Sequence, residues 1–142
     1  MVSRKSEKII EILRKNNQKE VLTVNAFENI KVLLKSLEEK HKDIFKATNS
    51  LLIEDTIPDE KNTKDRLILI LDGRKATITY QRGSSTLRAE RTVGDKEEVI
   101  DIIFKKDGKI KFIKNGVSPT TDIVNFYDLP DLILAELFYD IK

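Results

Sequence analysis

Two Asp-Gly dipeptides, Asp72-Gly73 and Asp107-Gly108, each separate runs of β-branched and apolar residues, and they constrain this chain more than any other feature. Asp-Gly between alternating segments is a strong hairpin signal, because both residues tolerate the positive φ that a tight β-turn demands. In "RLILILDGRKATITYQR" an apolar run enters the turn, and Ala76, Ile78 and Tyr80 alternate after it. In "EEVIDIIFKKDGKIKFIKNG" the register itself is arguable. A three-residue loop, Lys106-Asp107-Gly108, sets Phe104 opposite Ile110 and Ile102 opposite Phe112, with Ile100, Ile102, Phe104, Ile110 and Phe112 on one face. A two-residue loop splits that set, so the three-residue loop is preferred. Between the hairpins "SSTLRAERTV" alternates more weakly, with Leu87, Ala89 and Val93 inward. The expectation for 66–127 is an antiparallel sheet of four or five strands with one face buried.

Upstream, the period is helical. Ser3 or Ser6 can cap a first helix carrying Ile9, Ile10 and Leu13, and Asn16-Asn17 suits its end. "KEVLTV" is too short to assign. A second helix is expected from Asn25, whose spacing to Glu28 is that of a capping box. Its apolar stripe runs Phe27, Ile30, Leu34, Leu37, His41 and Ile44, at alternating spacings of three and four. Such a stripe packs on the protein's own sheet or on a second chain, and Val32, Leu33 and Phe45 make it wider than a coiled-coil seam.

Residues 54–65, "EDTIPDEKNTKD", read as a polar loop. At the far end "DLPDLILAELFYDIK" starts with helix-favouring Asp128, Pro130 and Asp131 and leaves little polar face, so it must be covered. Helices and strands thus segregate, and 1–142 reads as one α+β domain: 1–53 mainly helical, 54–65 loop, 66–127 sheet, 128–142 an apolar C-terminal helix on the sheet.

Composition narrows the chemistry. With no cysteine among 142 residues, disulfides, thiolate metal sites and a cysteine nucleophile are excluded. One histidine, His41, leaves no room for a two-histidine metal site, and Glu38, Glu39 and Asp43 do not converge with it on one helix face. In the helix stripe that imidazole reads as a half-solvated residue or a protonation switch. The N-terminus lacks the apolar centre of a signal peptide and no run is long enough to span a bilayer, so the expectation is a soluble, cytoplasmic protein without a membrane partner. No cofactor motif or metal cluster is visible.

The stretch "YQRGSSTLRAER" is the remaining suspect. It fails the glycine count and the helix context of a phosphate loop and reads as a basic hairpin turn. Residues 66–114 carry twelve basic and seven acidic side chains, net +5, against net −4 for 115–142. A face with Lys75, Thr77, Thr79, Thr86 and Arg88 offers a nucleic-acid reading, with Lys75, Arg82, Arg88 and Arg91 as contacts, although no exposed aromatics supply base stacking. Asp72, Glu90 and Arg91 form a poor version of a metal-nuclease set, since adjacent residues 90 and 91 point to opposite strand faces. Catalytic constellations are otherwise missing. The leading expectation is therefore a non-catalytic protein-interaction module, a small regulator, inhibitor or adaptor. Its lysine- and isoleucine-rich composition suits a prokaryotic, plasmid or viral protein. It is expected to pair with a protein partner or with itself as a homodimer, through the Phe27–Ile44 stripe or the C-terminal helix.

Overall fold

The computed structural model describes residues 4–58, 63–117 and 126–141. Three helices precede six strands and a final helix: α1 (Arg4–Asn16), α2 (Gln18–Lys40), α3 (Lys42–Ala47), β1 (Leu51–Pro58), β2 (Thr63–Leu71), β3 (Arg74–Gln81), β4 (Thr86–Val93), β5 (Lys96–Phe104), β6 (Ile110–Lys114) and α4 (Leu129–Leu137). The fold is α+β, as the segregated periods predict. The strands form one antiparallel meander in chain order, β1 to β6.

Both Asp-Gly turns form. Leu71 faces Arg74 across a two-residue turn in which Asp72 has φ of 49° and Gly73 of 78°. At the other turn Phe104 faces Ile110 and Ile102 faces Phe112. The Lys105 N–H donates to the Lys109 carbonyl at 3.0 Å, closing the three-residue loop with Gly108 at φ 83°. A side chain at either glycine meets no neighbour, so the left-handed backbone alone selects glycine there.

Helices α2 and α4 lie on one face of the sheet. From α2 come Ala26, Phe27, Ile30 and Leu34, and from α4 Leu129, Ile133 and Leu137. They meet Ala76, Ile78, Tyr80, Leu87, Ala89, Ile100, Ile102, Phe104 and Ile110 of the strands. Phe27 packs on Tyr80 with ring centroids 5.7 Å apart. Each fully covered Leu, Ile or Phe contributes roughly 1.5–3 kcal/mol, which is what holds the two helices down.

Three expectations need correction. The sheet has six strands rather than four or five, because Leu51–Pro58 is a strand where 54–65 reads as a loop. It is an edge strand with little to bury, so its sequence needs no apolar alternation: Glu54 on its covered side pairs with Lys31 and Lys35 of α2 instead. The Glu38 carboxylate of α2 also accepts the Leu52 backbone N–H at 3.0 Å. Second, α2 starts at Gln18 and not at Asn25, taking "KEVLTV" into the helix. Its Thr23 satisfies the hydroxyl on the Lys19 carbonyl at 2.6 Å and is fully buried. Third, the stripe is not continuous. The helix breaks at His41, and α3 follows as a separate helix. Strand β6 ends at Lys114; of the sheet region expected over 66–127, residues 118–125 lie outside the described residues.

Candidate functional site

The predicted contact residues do not gather in one place. Lys75 and Arg88 do share the open face of the sheet, but Arg88 sits opposite Thr79, four residues along β3 from Lys75, or about 13 Å at the strand rise. Arg88 is already engaged: its Nε donates to Asp101 at 2.9 Å on the neighbouring strand, which holds the guanidinium still more firmly protonated. Arg82 donates from Nε to Asp65 at 3.0 Å and from Nη2 at 3.2 Å, and that contact pulls the Asp65 carboxyl below its ordinary range. Arg91 lies on the other face and is 5% exposed. The positive excess read from the sequence is therefore largely cancelled locally by carboxylates. Of the weak nuclease set, Asp72 sits in a turn and Glu90 on the open face, away from Arg91. Among the described residues no group of three His, Asp or Glu side chains can hold a metal.

The helix stripe divides. Phe27, Ile30 and Leu34 are core, 2% exposed each. Leu37 is half-buried, His41 is exposed at the α2–α3 break, and Ile44 is 55% exposed. In α4, Leu129, Pro130, Ile133 and Leu137 are buried, so its apolar face is spent on the fold.

Sequence reasoning missed a charged cluster where the end of α4 meets the sheet. Arg91 extends the inward series Leu87, Ala89, Arg91 of β4, so parity carries it under the helix. Its guanidinium donates from Nη1 to the Leu137 carbonyl at 2.6 Å and grips Asp140 with both Nη atoms, Nη2 at 2.7 Å. Arg74 adds a third bond to the same carboxylate from Nε at 2.9 Å. Two guanidiniums on one carboxylate hold Asp140 far below the usual carboxylate range. Phe138 lies under Arg91, 5.3 Å from ring centroid to guanidinium carbon. Opposite Arg91 on β5 is Glu98, 4% exposed, which accepts from Asn115 at 2.7 Å and is held ionised chiefly by that bond. Lys114 reaches Glu136 of α4 at 2.8 Å. A cleft of about 600 Å³ opens beside the cluster. Its walls carry Arg74, Lys75 and Arg91 against Glu90, Glu97 and Asp140, a balanced set with no excess for an anionic ligand. Chemically the cluster is a latch. Its guanidiniums and carboxylates are engaged with one another.

The opposite end of the chain is unsatisfied. Helix α1 buries no residue. Ile9, Ile10, Ile12 and Leu13 are 57%, 55%, 53% and 52% exposed. An isolated 13-residue helix is marginal in water, yet α1 continues almost into α2. The Asn17 N–H donates to the Leu13 carbonyl and its own carbonyl accepts from Val21, both at 3.0 Å, while the Asn17 side chain caps Leu13 at 2.8 Å.

No helix among the described residues is long and apolar enough to cross a membrane. No protein-family model matches the chain, no curated protein matches its sequence, and no solved structure matches its fold.

Proposed function

We propose that the chain is a non-catalytic interaction module, an adaptor or small regulator, whose contact element is α1. The observation that carries this reading is the contrast inside one helix: four large apolar side chains on one side, each more than half exposed, and nothing of the helix buried. Apolar side chains clustered this way mark a surface that is covered in use. The two surfaces that the sequence offered for pairing, the front of the α2 stripe and the face of α4, have less support, since their residues already fill the core. Nucleic-acid binding by the sheet likewise has less support, because Arg82, Arg88 and Arg91 already hold carboxylates.

The test works whatever the partner is. A photoreactive side chain is placed at position 13 in the apolar face, and in a parallel variant at position 11, roughly opposite on the helical wheel. Irradiation in extracts containing membranes should yield adducts, to protein or lipid, from position 13 and not from 11. Equal labelling from both positions, or none from either, overturns the reading.

A further inference from the structure

Resting on that reading, we infer that α1 docks on an anionic lipid surface, lying flat in the headgroup region as a reversible peripheral anchor. Lying on a bilayer is a different physical act from spanning it, and it asks for an amphipathic helix of modest overall hydrophobicity with a basic polar side. Helix α1, "RKSEKIIEILRKN", has five basic and two acidic residues, net +3.

Three occupants compete for the stripe, and its layout separates them. Ile9 and Leu13 stand one turn apart, with Ile12 on one border and Ile10 on the other. Lys8 and Lys15 follow the Ile12 border; Glu7 and Arg14 follow the Ile10 border. In an antiparallel pair of copies, two-fold symmetry sets each border against itself, so Lys8 and Lys15 would face their own kind. A parallel pair sets Glu7 near Lys8 but Arg14 near Lys15, which gains nothing net. A stable interface also engages about 20–30 residues a side, and α1 offers four apolar ones. A second copy is thus the poorer fit.

A protein groove takes a helix by anchors spread over two turns or more, at i, i+3 or i+4, and i+7. Among the described residues the anchors stop after one turn. Seven residues on from Ile9 and Ile10 are Asn16 and Asn17, and seven back from Ile12 and Leu13 are Lys5 and Ser6. The apolar patch is short and broad, suited to a shallow fluid boundary and not to a long slot. Lysines at its edge can extend their stems along the acyl region while their ammonium groups reach lipid phosphates and carboxylates. Basic residues near such a surface add attraction that fades within a Debye length, so the contact needs both the apolar patch and anionic lipid.

The experiment is flotation of the full chain with vesicles of phosphatidylcholine alone, and with vesicles in which about three parts in ten are phosphatidylserine. Binding to the anionic vesicles is expected, at least about tenfold above the neutral ones and reduced at high salt. Ile9→Glu with Leu13→Glu should abolish it while leaving the melting temperature in place, and Lys8→Gln with Lys15→Gln should weaken it without touching the apolar patch. No binding to anionic vesicles overturns the inference, as does binding indifferent to the two glutamates or equal on neutral lipid. Light scattering of the same samples supplies a further overturning result: a dimer that Leu13→Glu dissociates, with vesicles ignored. Protein adducts from position 13 without vesicle binding would sink the lipid partner and leave the interaction module standing; no adducts and no vesicle binding would sink both.

Discussion

Helices α4 and α1 stand at opposite ends of the chain and answer the same question in opposite ways. The first is apolar nearly all round, and the sheet covers the face that carries Leu129 and Ile133, both fully buried, while Leu132 on the outer side stays 39% exposed. The second is amphipathic, and none of its residues is buried. Hydrophobic pattern alone does not say which outcome a helix meets. For α4 the deciding feature is the latch: Arg91 binds the Leu137 carbonyl and, with Arg74, the Asp140 carboxylate, tying the helix end to β3 and β4. At α1 the corresponding bonds are those of its junction with α2, through Asn17 and the Leu13 carbonyl. The folded domain therefore uses one terminal helix for stability and presents the other.

The comparison breaks most violently at Ile133. A carboxylate forced into that fully buried position finds no partner, so Ile133→Glu should remove several kcal/mol, about 4 or more, and abolish cooperative unfolding in urea followed by circular dichroism. A well-folded Ile133→Glu variant would mean that α4 is not core at all.

The latch comes next. Arg91→Leu orphans the Leu137 carbonyl and leaves Asp140 with Arg74 alone. Asp140 is partly exposed and keeps Arg74, so the cost falls below that of breaking a fully buried ion pair, to about 1–2 kcal/mol, read as a lower urea midpoint. Asp140→Asn sharpens the same point through pH. The Asp140 carboxyl is held below its unfolded value, so its contribution is fully present above the ordinary carboxylate range and is lost as pH falls through that range and below. Stability of the native chain should drop along that acid limb, and Asp140→Asn should be less stable at neutral pH with a flatter acid limb. An unchanged limb would show that the latch does not hold α4.

How much of this was legible depends on whether the information is local. Both Asp-Gly turns were, and at the second the alternation of Ile100, Ile102, Phe104 and Ile110 also fixes the register and the face. Strand β1 was not, because its support comes from elsewhere: Lys31 and Lys35 meet Glu54, and Glu38 meets the Leu52 N–H. "KEVLTV" looks β-branched, yet Thr23 turns its hydroxyl inward onto the helix backbone and the segment stays helical. The latch joins residues 49 apart, beyond any local motif. Still, one clue was present: Arg91 shares the parity of Leu87 and Ala89, and a charge in an inward register demands a partner. Exposure of α1 could not be read at all, since an amphipathic stripe looks the same whether its cover is the sheet, a second chain or a lipid surface.

The smallest expected effect bears most directly on function. Leu13→Lys replaces an apolar residue of α1 with one of nearly equal helix propensity, and near the helix C-terminus its charge is favoured by the dipole. Because Leu13 is 52% exposed and α1 buries nothing, the change should shift unfolding free energy by no more than about 0.5 kcal/mol. If the urea midpoint instead falls by the equivalent of about 2 kcal/mol, α1 packs on the domain in solution and the two helices are alike after all. If stability holds while vesicle binding is lost, the apolar face of α1 serves contact and not folding, and the division of labour between the two ends of the chain stands.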